Sequence, residues 1–251
     1  MADQGSNQGR TVARALDLLE TLERASGPLR LSDIAHEASL HVATAQRTLN
    51  LLVDRGYVQR TRHGYALGAV TLSLAHGFAV HDRLSQVSTD VLSQLSASTG
   101  LTSSVFVRSG HGRIVIARVD GAAPLRYQFP LGQRLPLELG GGKVLLAGMP
   151  SDELEELLTA TGTVRFASGR LQTPEDLRAD VDAIRERGYH LASSERSYGV
   201  LSLTCLLRHQ DESAPGAAIN LVATSDDAAE ESLLALRPEL ERAGQAIVAR
   251  L

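Results

Sequence analysis

Residues 31–68 read LSDIAHEASLHVATAQRTLNLLVDRGYVQRTRHGYALG, and their hydrophobic period changes from helical to alternating within one short stretch. Leu40, Ala45, Leu49, Leu52 and Val53 recur near the spacing of one helix face, while Gln46, Arg47 and Asn50 fall together on the opposite side. Ahead of that helix, Ile34, Ala35 and Ala38 mark a shorter one. Ser32 is placed to cap it, and Asp33 carries a negative charge into its first turn, where the helix dipole favours one. Ala38-Ser39-Leu40 makes the turn between the two, and Gly56 closes the second. Tyr57-Val58-Gln59-Arg60 and Tyr65-Ala66-Leu67 then alternate as a hairpin does, with Arg62-His63-Gly64 at its tip. Two helices, a tight turn and a basic hairpin predict a winged helix-turn-helix. Short polar side chains and an arginine on an exposed helix suit base edges and phosphates. Thr44, Gln46, Arg47 and Asn50 are therefore candidates for the major groove of duplex DNA, and Arg60 and Arg62 for its phosphates.

Small helical domains that never meet DNA can share this spacing, so local charge has to help decide. The whole chain carries a formal net charge of -4, which argues against a protein that coats nucleic acid. Between positions 39 and 68, however, Arg47, Arg55, Arg60 and Arg62 stand against Asp54 alone. Local sign, not the total, determines where a phosphate backbone docks.

The chain has 251 residues, enough for one large domain or two modest ones. Its polar start, MADQGSNQGR, has no apolar segment of the signal-peptide kind, and residues 1–10 are expected to form a disordered arm. No apolar run reaches membrane-spanning length. The single cysteine, Cys205, lies in an apolar run and reads as a buried core thiol in a reducing cytoplasm. Residues 11–25 predict a first helix on Val12, Leu16, Leu19 and Leu22, so the winged domain spans 11–68. Residues 69–82 predict a linker helix, interrupted at Gly77 and at His81-Asp82. Its apolar residues face more than one way and suggest burial against another subunit.

Residues 83–251 predict a second domain. Strands are expected at 101–108 and 113–120, joined by Ser109-Gly110-His111-Gly112, and at 125–129. Residues 132–139 read as irregular, and Gly140-Gly141-Gly142 opens a short helix. Ser151 is placed to cap another helix, and Thr173-Pro174-Glu175-Asp176 starts a third with a cap, a proline at the first helical position and acids behind it. Further strands at 189–193, 201–207 and 217–223 precede a final helix from Asp226 in which Pro238 sits as a possible kink. Helices flanking neighbouring strands in this order predict an α+β domain with an antiparallel sheet.

Gly140-Gly141-Gly142-Lys143 looks superficially like a phosphate loop but lacks its first glycine, and Val144 stands where a magnesium-binding hydroxyl is required. Lys143, the chain's single lysine, reads as a surface residue. The glycine-led helix start would offer N–H groups to an anion such as a carboxylate, or would pack closely on a strand. Ser193, Ser194, Glu195 and Arg196 follow a strand, near Ser202 and Asn220 if the strands pair as expected. Polar residues inside apolar strands need an internal partner or a ligand, and a ligand is the favoured reading. The histidines form no metal-binding cluster, no nucleophile elbow is present, and no cofactor is expected.

The whole chain resembles the IclR family of bacterial transcriptional regulators. The resemblance rests on Val12-Ala13-Arg14-Ala15-Leu16, Leu31-x-x-Ile34-Ala35, Thr44-x-x-Arg47-x-Leu49, Gly56-Tyr57-Val58 and Tyr65-x-Leu67-Gly68 in the first part. In the second part it rests on Gly132-x-Arg134-Leu135-Pro136-Leu137, Gly142-Lys143, Arg185-x-Arg187-Gly188-Tyr189 and Gly199. It implies a winged helix-turn-helix joined by a linker helix to a GAF-like effector-binding domain, assembled as a homodimer or dimer of dimers on a palindromic operator. It also implies control by a small metabolite, often an organic or aromatic acid, in a pocket that maps onto Gly140, Gly141, Gly142, Ala192, Ser193, Glu195, Ser202, Asn220 and Val222.

Two departures from the family pattern point to specificity. Val42-Ala43 and Gln46 replace a common Lys-Ser and His around the recognition threonine and arginine, and Ala192-Ser193-Ser194-Glu195 replaces an acidic run, with Ser202 in place of a cysteine. The expectation is a cytoplasmic, effector-controlled repressor that is not an enzyme and makes no membrane contact. The competing readings are a GAF-type sensor signalling through protein contacts and a small-molecule hydrolase with an accessory helical domain. The hydrolase would need a base beside Lys143, Glu195 or Ser202, and none is evident.

Overall fold

The computed structural model describes residues 3–122, 130–208 and 216–251, with backbone alone for 3–8. It divides into two compact units, Met1–His81 and Asp82–Leu251.

The first unit runs α1 (Asp3–Arg24), α2 (Leu31–Glu37), α3 (Val42–Asp54), β1 (Val58–Thr61), β2 (Gly64–Leu67) and α4 (Val70–His81). Leu18 and Leu22 of α1 meet Ile34 and Ala35 of α2, Ala45, Leu49 and Leu52 of α3, and Val58 and Tyr65 of the hairpin in one buried cluster. Strands β1 and β2 pair antiparallel, and Leu29 exchanges two backbone hydrogen bonds with Tyr65, giving the wing a short third edge. The winged helix-turn-helix is thus assembled around the apolar stripe of α3.

Several boundaries differ from the sequence reading. Helix α1 extends back to Asp3, so residues 3–10, expected as a disordered arm, have helical backbone. No proline stands between Asp3 and Thr11 to stop a helix already nucleated by its buried half. Ser32 does not cap α2: the cap position is Arg30, and Ser32 Oγ donates to Asp33 Oδ1. Gly77 does not interrupt α4, consistent with the roughly 1 kcal/mol cost of one helical glycine. The break comes at Asp82, which is extended and accepts from the Ser85 N–H as the cap of the next helix. Helix α4 buries none of its own residues and leaves Leu72, Leu74, Phe78 and Val80 exposed.

The second unit begins with α5 (Arg83–Thr99), β3 (Thr102–Ser109) and β4 (Gly112–Val119). Residues 125–129, expected as a strand, lie outside the described residues. Residues 132–139, expected as irregular, contain β5 (Arg134–Pro136), which adds an edge to β4. Then come α6 (Gly142–Ala147), α7 (Ser151–Ala160), a small hairpin of β6 (Val164–Arg165) and β7 (Leu171–Gln172), α8 (Pro174–Arg187), β8 (Tyr189–Ser193), β9 (Val200–Leu207), β10 (Ala217–Thr224), α9 (Glu230–Ala235) and α10 (Arg237–Val248). Ser151 is the first residue of α7 and makes no cap bond; Pro150, extended at ψ 147, takes the cap position. Thr173 does cap α8, in a reciprocal box with Asp176. The expected single final helix is two, because Pro238 occupies the first turn of α10, where its missing N–H costs nothing.

The six-stranded sheet is antiparallel throughout, in the order β5-β4-β3-β10-β9-β8. One face, through Val105, Leu203, Ile219 and Leu221, packs on Leu92 and Leu95 of α5 and Leu240 and Ile247 of α10. Each such fully buried aliphatic side chain contributes about 1.5–3 kcal/mol relative to exposure. Cys205 belongs to this cluster, and burial pushes its thiol up to about 12, as expected of an inert core cysteine. The opposite face, through Phe106 and Ala218, packs on Val144 and Leu145 of α6, Leu158 of α7 and Val181 of α8. Those helices cover only part of that face, and the uncovered part sets Ser104, Arg113, Ser202 and Asn220 among Val115, Leu135 and Val222.

Candidate DNA-reading face and effector cavity

In the first unit, Thr44 and Gln46 are half-buried and Arg47 and Asn50 are exposed on the outer side of α3, opposite Ala45 and Leu49. Arg60 of the wing donates to Asn50 Oδ1 at 2.6 Å, and Gln46 Nε2 donates both to Asn50 Oδ1 and to Tyr65 Oη, each at 3.0 Å. The Arg60 guanidinium carbon lies 5.5 Å from the Tyr65 ring centroid. Arg62, at the hairpin tip, is exposed, and its Nε donates to His63 Nε2 at 2.8 Å. The structure thus brings Gln46, Asn50 and Arg60 into one hydrogen-bonded group, where the sequence alone presents separate contacts. Arg47 and Thr44 stand beside it on the same helix.

In the second unit, a narrow cleft with a mixed polar and apolar lining opens over the uncovered part of this sheet face. Every strand of the sheet contributes to its floor: Leu135 of β5, Arg113 and Val115 of β4, Ser104 and Phe106 of β3, Asn220 and Val222 of β10, Val200 and Ser202 of β9, and Ala192 of β8. Gly140 and Gly141 form one wall, and Glu195, Arg196 and Ser197 the other. Seven of the nine residues expected in the pocket therefore line this cleft. Gly142 and Ser193 do not. Gly142 packs so closely on the Leu137 backbone that a Cβ would sit 2.4 Å from its carbonyl oxygen. Ser193 follows Ala192 on a strand, so its side chain takes the other face and is exposed. Gly141 is needed for the space itself: a Cβ there would come within 2.6 Å of Thr204 Oγ1 and 2.7 Å of Phe106.

Lys143 corrects the expectation of a surface residue. Its side chain is fully buried, and Nζ donates to Glu195 Oε1 at 2.9 Å and Asp180 Oδ2 at 2.7 Å, 4.8 Å from the centroid of Phe166. The signal was present in the sequence: Val144, Leu145 and Leu146 make the short helix apolar on every side, and such a helix is buried. Glu195 is the hub. Its Oε2 accepts from the Gly140 N–H at 2.7 Å, and its Oε1 also faces His190 Nε2 at 3.1 Å. Arg187 Nη2, which can only donate, lies 3.2 Å from His190 Nδ1, so that nitrogen accepts and Nε2 carries the proton facing Glu195. Burial opposes ionisation of Glu195 most, but the hydrogen bond from His190, the charge on Lys143 and the Gly140 N–H outweigh it and hold the carboxyl at about 2. The glycine-led wall thus already binds an anion, the protein's own.

Arg113 is the residue that sequence reasoning missed. It is 5 % exposed, its guanidinium stacks 4.7 Å from the Phe106 ring centroid, and its Nε and Nη1 have no hydrogen-bond partner among the described residues. Burial, and then the neighbouring Arg196 charge, push it down to about 9, so it remains a cation at neutral pH. Strand parity could have found it, since Arg113 shares its face with Val115 two residues on. A buried cation with unpaired donors in an open cleft is a site for a ligand acceptor, above all a carboxylate. Across the floor, Ser104 Oγ donates to Asn220 Oδ1, which turns the Asn220 amide nitrogen toward other acceptors.

A helix-turn-helix unit with a basic wing, followed by an antiparallel sheet with a cleft over one face, defines a DNA-binding regulator with a ligand-binding domain. Sequence models agree: one for the IclR helix-turn-helix domain matches residues 11–62, and one for the bacterial transcriptional regulator IclR C-terminal region matches residues 77–249. The chain belongs to the IclR family of transcriptional regulators. It is 28 % identical over 222 residues to the transcriptional repressor IclR of Escherichia coli (strain K12), covering 86 % of this chain and 80 % of that protein. An IclR transcriptional regulator from Alicyclobacillus acidocaldarius has the same fold, with a TM-score of 0.80 at 19 % identity over 96 % of this chain and 98 % of its own. So does an IclR homologue from Microbacterium hydrocarbonoxydans, solved with 4-hydroxybenzoate, with a TM-score of 0.74 at 24 % identity over 96 % and 98 % of the two chains.

Proposed function

We propose that this regulator is a cytoplasmic repressor whose hold on operator DNA is controlled by a small organic or aromatic acid. Arg113 carries the effector part of this reading: two nitrogens of its buried guanidinium have no partner among the described residues, and a carboxylate would supply one. The apolar floor residues Phe106, Val115, Leu135 and Val222 suit a ring or short chain attached to that acid group. The Microbacterium hydrocarbonoxydans homologue is itself complexed with an aromatic acid, 4-hydroxybenzoate. Gly140, Gly141, Ala192, Glu195, Ser202, Asn220 and Val222 would shape the rest of the site.

On the DNA side, Thr44, Gln46, Arg47 and Asn50 would face the major groove, and Arg60 and Arg62 would hold phosphate. The exposed apolar residues of α4 support a homodimer or dimer of dimers on a palindromic site. Effector binding would shift populations between operator-competent and incompetent arrangements, which requires different affinities for the two. The test is a fluorescence-anisotropy titration of promoter duplexes with and without small carboxylic acids. An acid that binds should weaken operator affinity, and Arg47→Ala should weaken it by about 1–3 kcal/mol with the fold intact. No acid response from any aromatic or aliphatic carboxylate would sink the effector assignment, and unchanged affinity in Arg47→Ala the recognition-helix assignment.

A further inference from the structure

The polar group between α3 and the wing has a direction built into it. Arginine can only donate, so the Asn50 atom that meets Arg60 Nη2 at 2.6 Å must be the oxygen. That oxygen also receives Gln46, so the Gln46 atom facing it, at 3.0 Å, must be the nitrogen. The same nitrogen donates its second hydrogen to Tyr65 Oη. The wing cation thereby sets the orientation of two amides on the neighbouring helix. What remains for a partner is the Asn50 amide nitrogen, which only donates, and Gln46 Oε1, which only accepts. They stand one turn apart on the same helix face.

We infer that Arg60 is a positioning residue for base readout: by fixing these amides it makes α3 present a donor and an acceptor side by side, which reads adenine. In the major groove, guanine offers two acceptors, thymine an acceptor beside a methyl, and cytosine a lone donor. Among single base edges, only adenine pairs an acceptor, N7, with a donor, the N6 amine. Without Arg60 the two amides can turn over together, and the order of donor and acceptor reverses. The remaining Arg60 nitrogens stay available to phosphate, so the residue serves affinity and selectivity at once. This inference rests on α3 being the helix that reads DNA.

The experiment uses the full chain and a randomised duplex library. Selected duplexes are then measured by anisotropy with each adenine in turn replaced by 7-deazaadenine, which lacks the N7 acceptor, or by purine, which lacks the N6 amine. One adenine per half-site should lose roughly tenfold or more in affinity with either replacement. Asn50→Ala should abolish that difference. Arg60→Ala and Tyr65→Phe should shrink it, whereas Arg62→Ala should weaken binding to all duplexes alike. The base analogues need no protein variant, so misfolding cannot mimic the result. If no adenine responds to both replacements, adenine readout is wrong. If Arg60→Ala weakens every duplex equally and keeps the preference, Arg60 is a phosphate contact alone and the positioning role is wrong. Recovery of no duplex at all would overturn the assignment of α3 as the reading helix, and the inference with it.

Discussion

Lys143 Nζ lies 2.9 Å from Glu195 Oε1, with the lysine wholly buried and the glutamate 8 % exposed. A buried pair of this kind is costly to break from one side, because the surviving charge loses its partner. Lys143→Met should destabilise the second unit by about 3–5 kcal/mol in urea unfolding. A companion Glu195→Leu should recover much of that loss, though Asp180 then also loses its cation. An additive double variant would mean that the two charges do not depend on each other.

Glu195 also sets an acid limit. Its folded value of about 2 lies below its ordinary 4.5. Its contribution is therefore complete above about pH 4.5 and is lost as the pH falls from there toward 2. Over that interval the wild type should shed on the order of 3 kcal/mol that Glu195→Gln does not. Parallel stability curves for the two proteins between pH 5 and pH 3, as read by calorimetry, would contradict the assigned ion pair.

Arg113 predicts the opposite balance. As a buried cation with two nitrogens unpaired among the described residues, it opposes folding of the unliganded protein. Arg113→Met should leave the unliganded protein as stable or raise its stability by about 1 kcal/mol, while the thermal shift produced by carboxylic acids disappears. A variant that unfolds easily and still responds to acids would reverse the assignment.

Gly141→Ala tests the cleft without touching a charge. The backbone there is ordinary right-handed helix, so the effect is one of space: the added methyl runs into Thr204 and Phe106. Overpacking should cost about 1–3 kcal/mol and abolish ligand-induced stabilisation. Unchanged ligand response would place the effector elsewhere.

Ser39, in the turn between α2 and α3, has φ of +52, a conformation that favours glycine. Ser39→Gly should stabilise the first unit by about 0.5–1 kcal/mol, visible as slower hydrogen exchange in the α3 amides. Slower exchange confined to the second unit would count against a local origin.

The winged unit was legible because its information is local: apolar residues at helical spacing, a turn, then alternation. The same holds for the strands at Tyr189, Leu201 and Ala217 and for the Thr173 cap with Pro174 behind it. Boundaries were less legible, since Arg30 and Pro150 take cap positions through backbone geometry that composition does not encode. The cleft was half legible. Ser202 and Asn220 stood out as polar residues in apolar strands, but Arg113 became significant only through its burial on the sheet, and the apolar helix around Lys143 does not reveal that its partner is Glu195, 52 positions away. Arg60 reads as a phosphate contact from sequence because it sits on the wing, and only pairing of the wing with α3 brings it to Asn50.

Helix α4 buries no residue of its own and holds out Leu72, Leu74, Phe78 and Val80. A helix of 12 residues that buries none of them is marginal in water. In the homodimer proposed above, its order would become a matter of mass action: at low copy number the helix would fray, and at high copy number self-association would keep it intact. On that proposal the abundance of the protein in the cell would tune operator occupancy alongside the effector, so the regulator would answer to its own expression level as well as to metabolism.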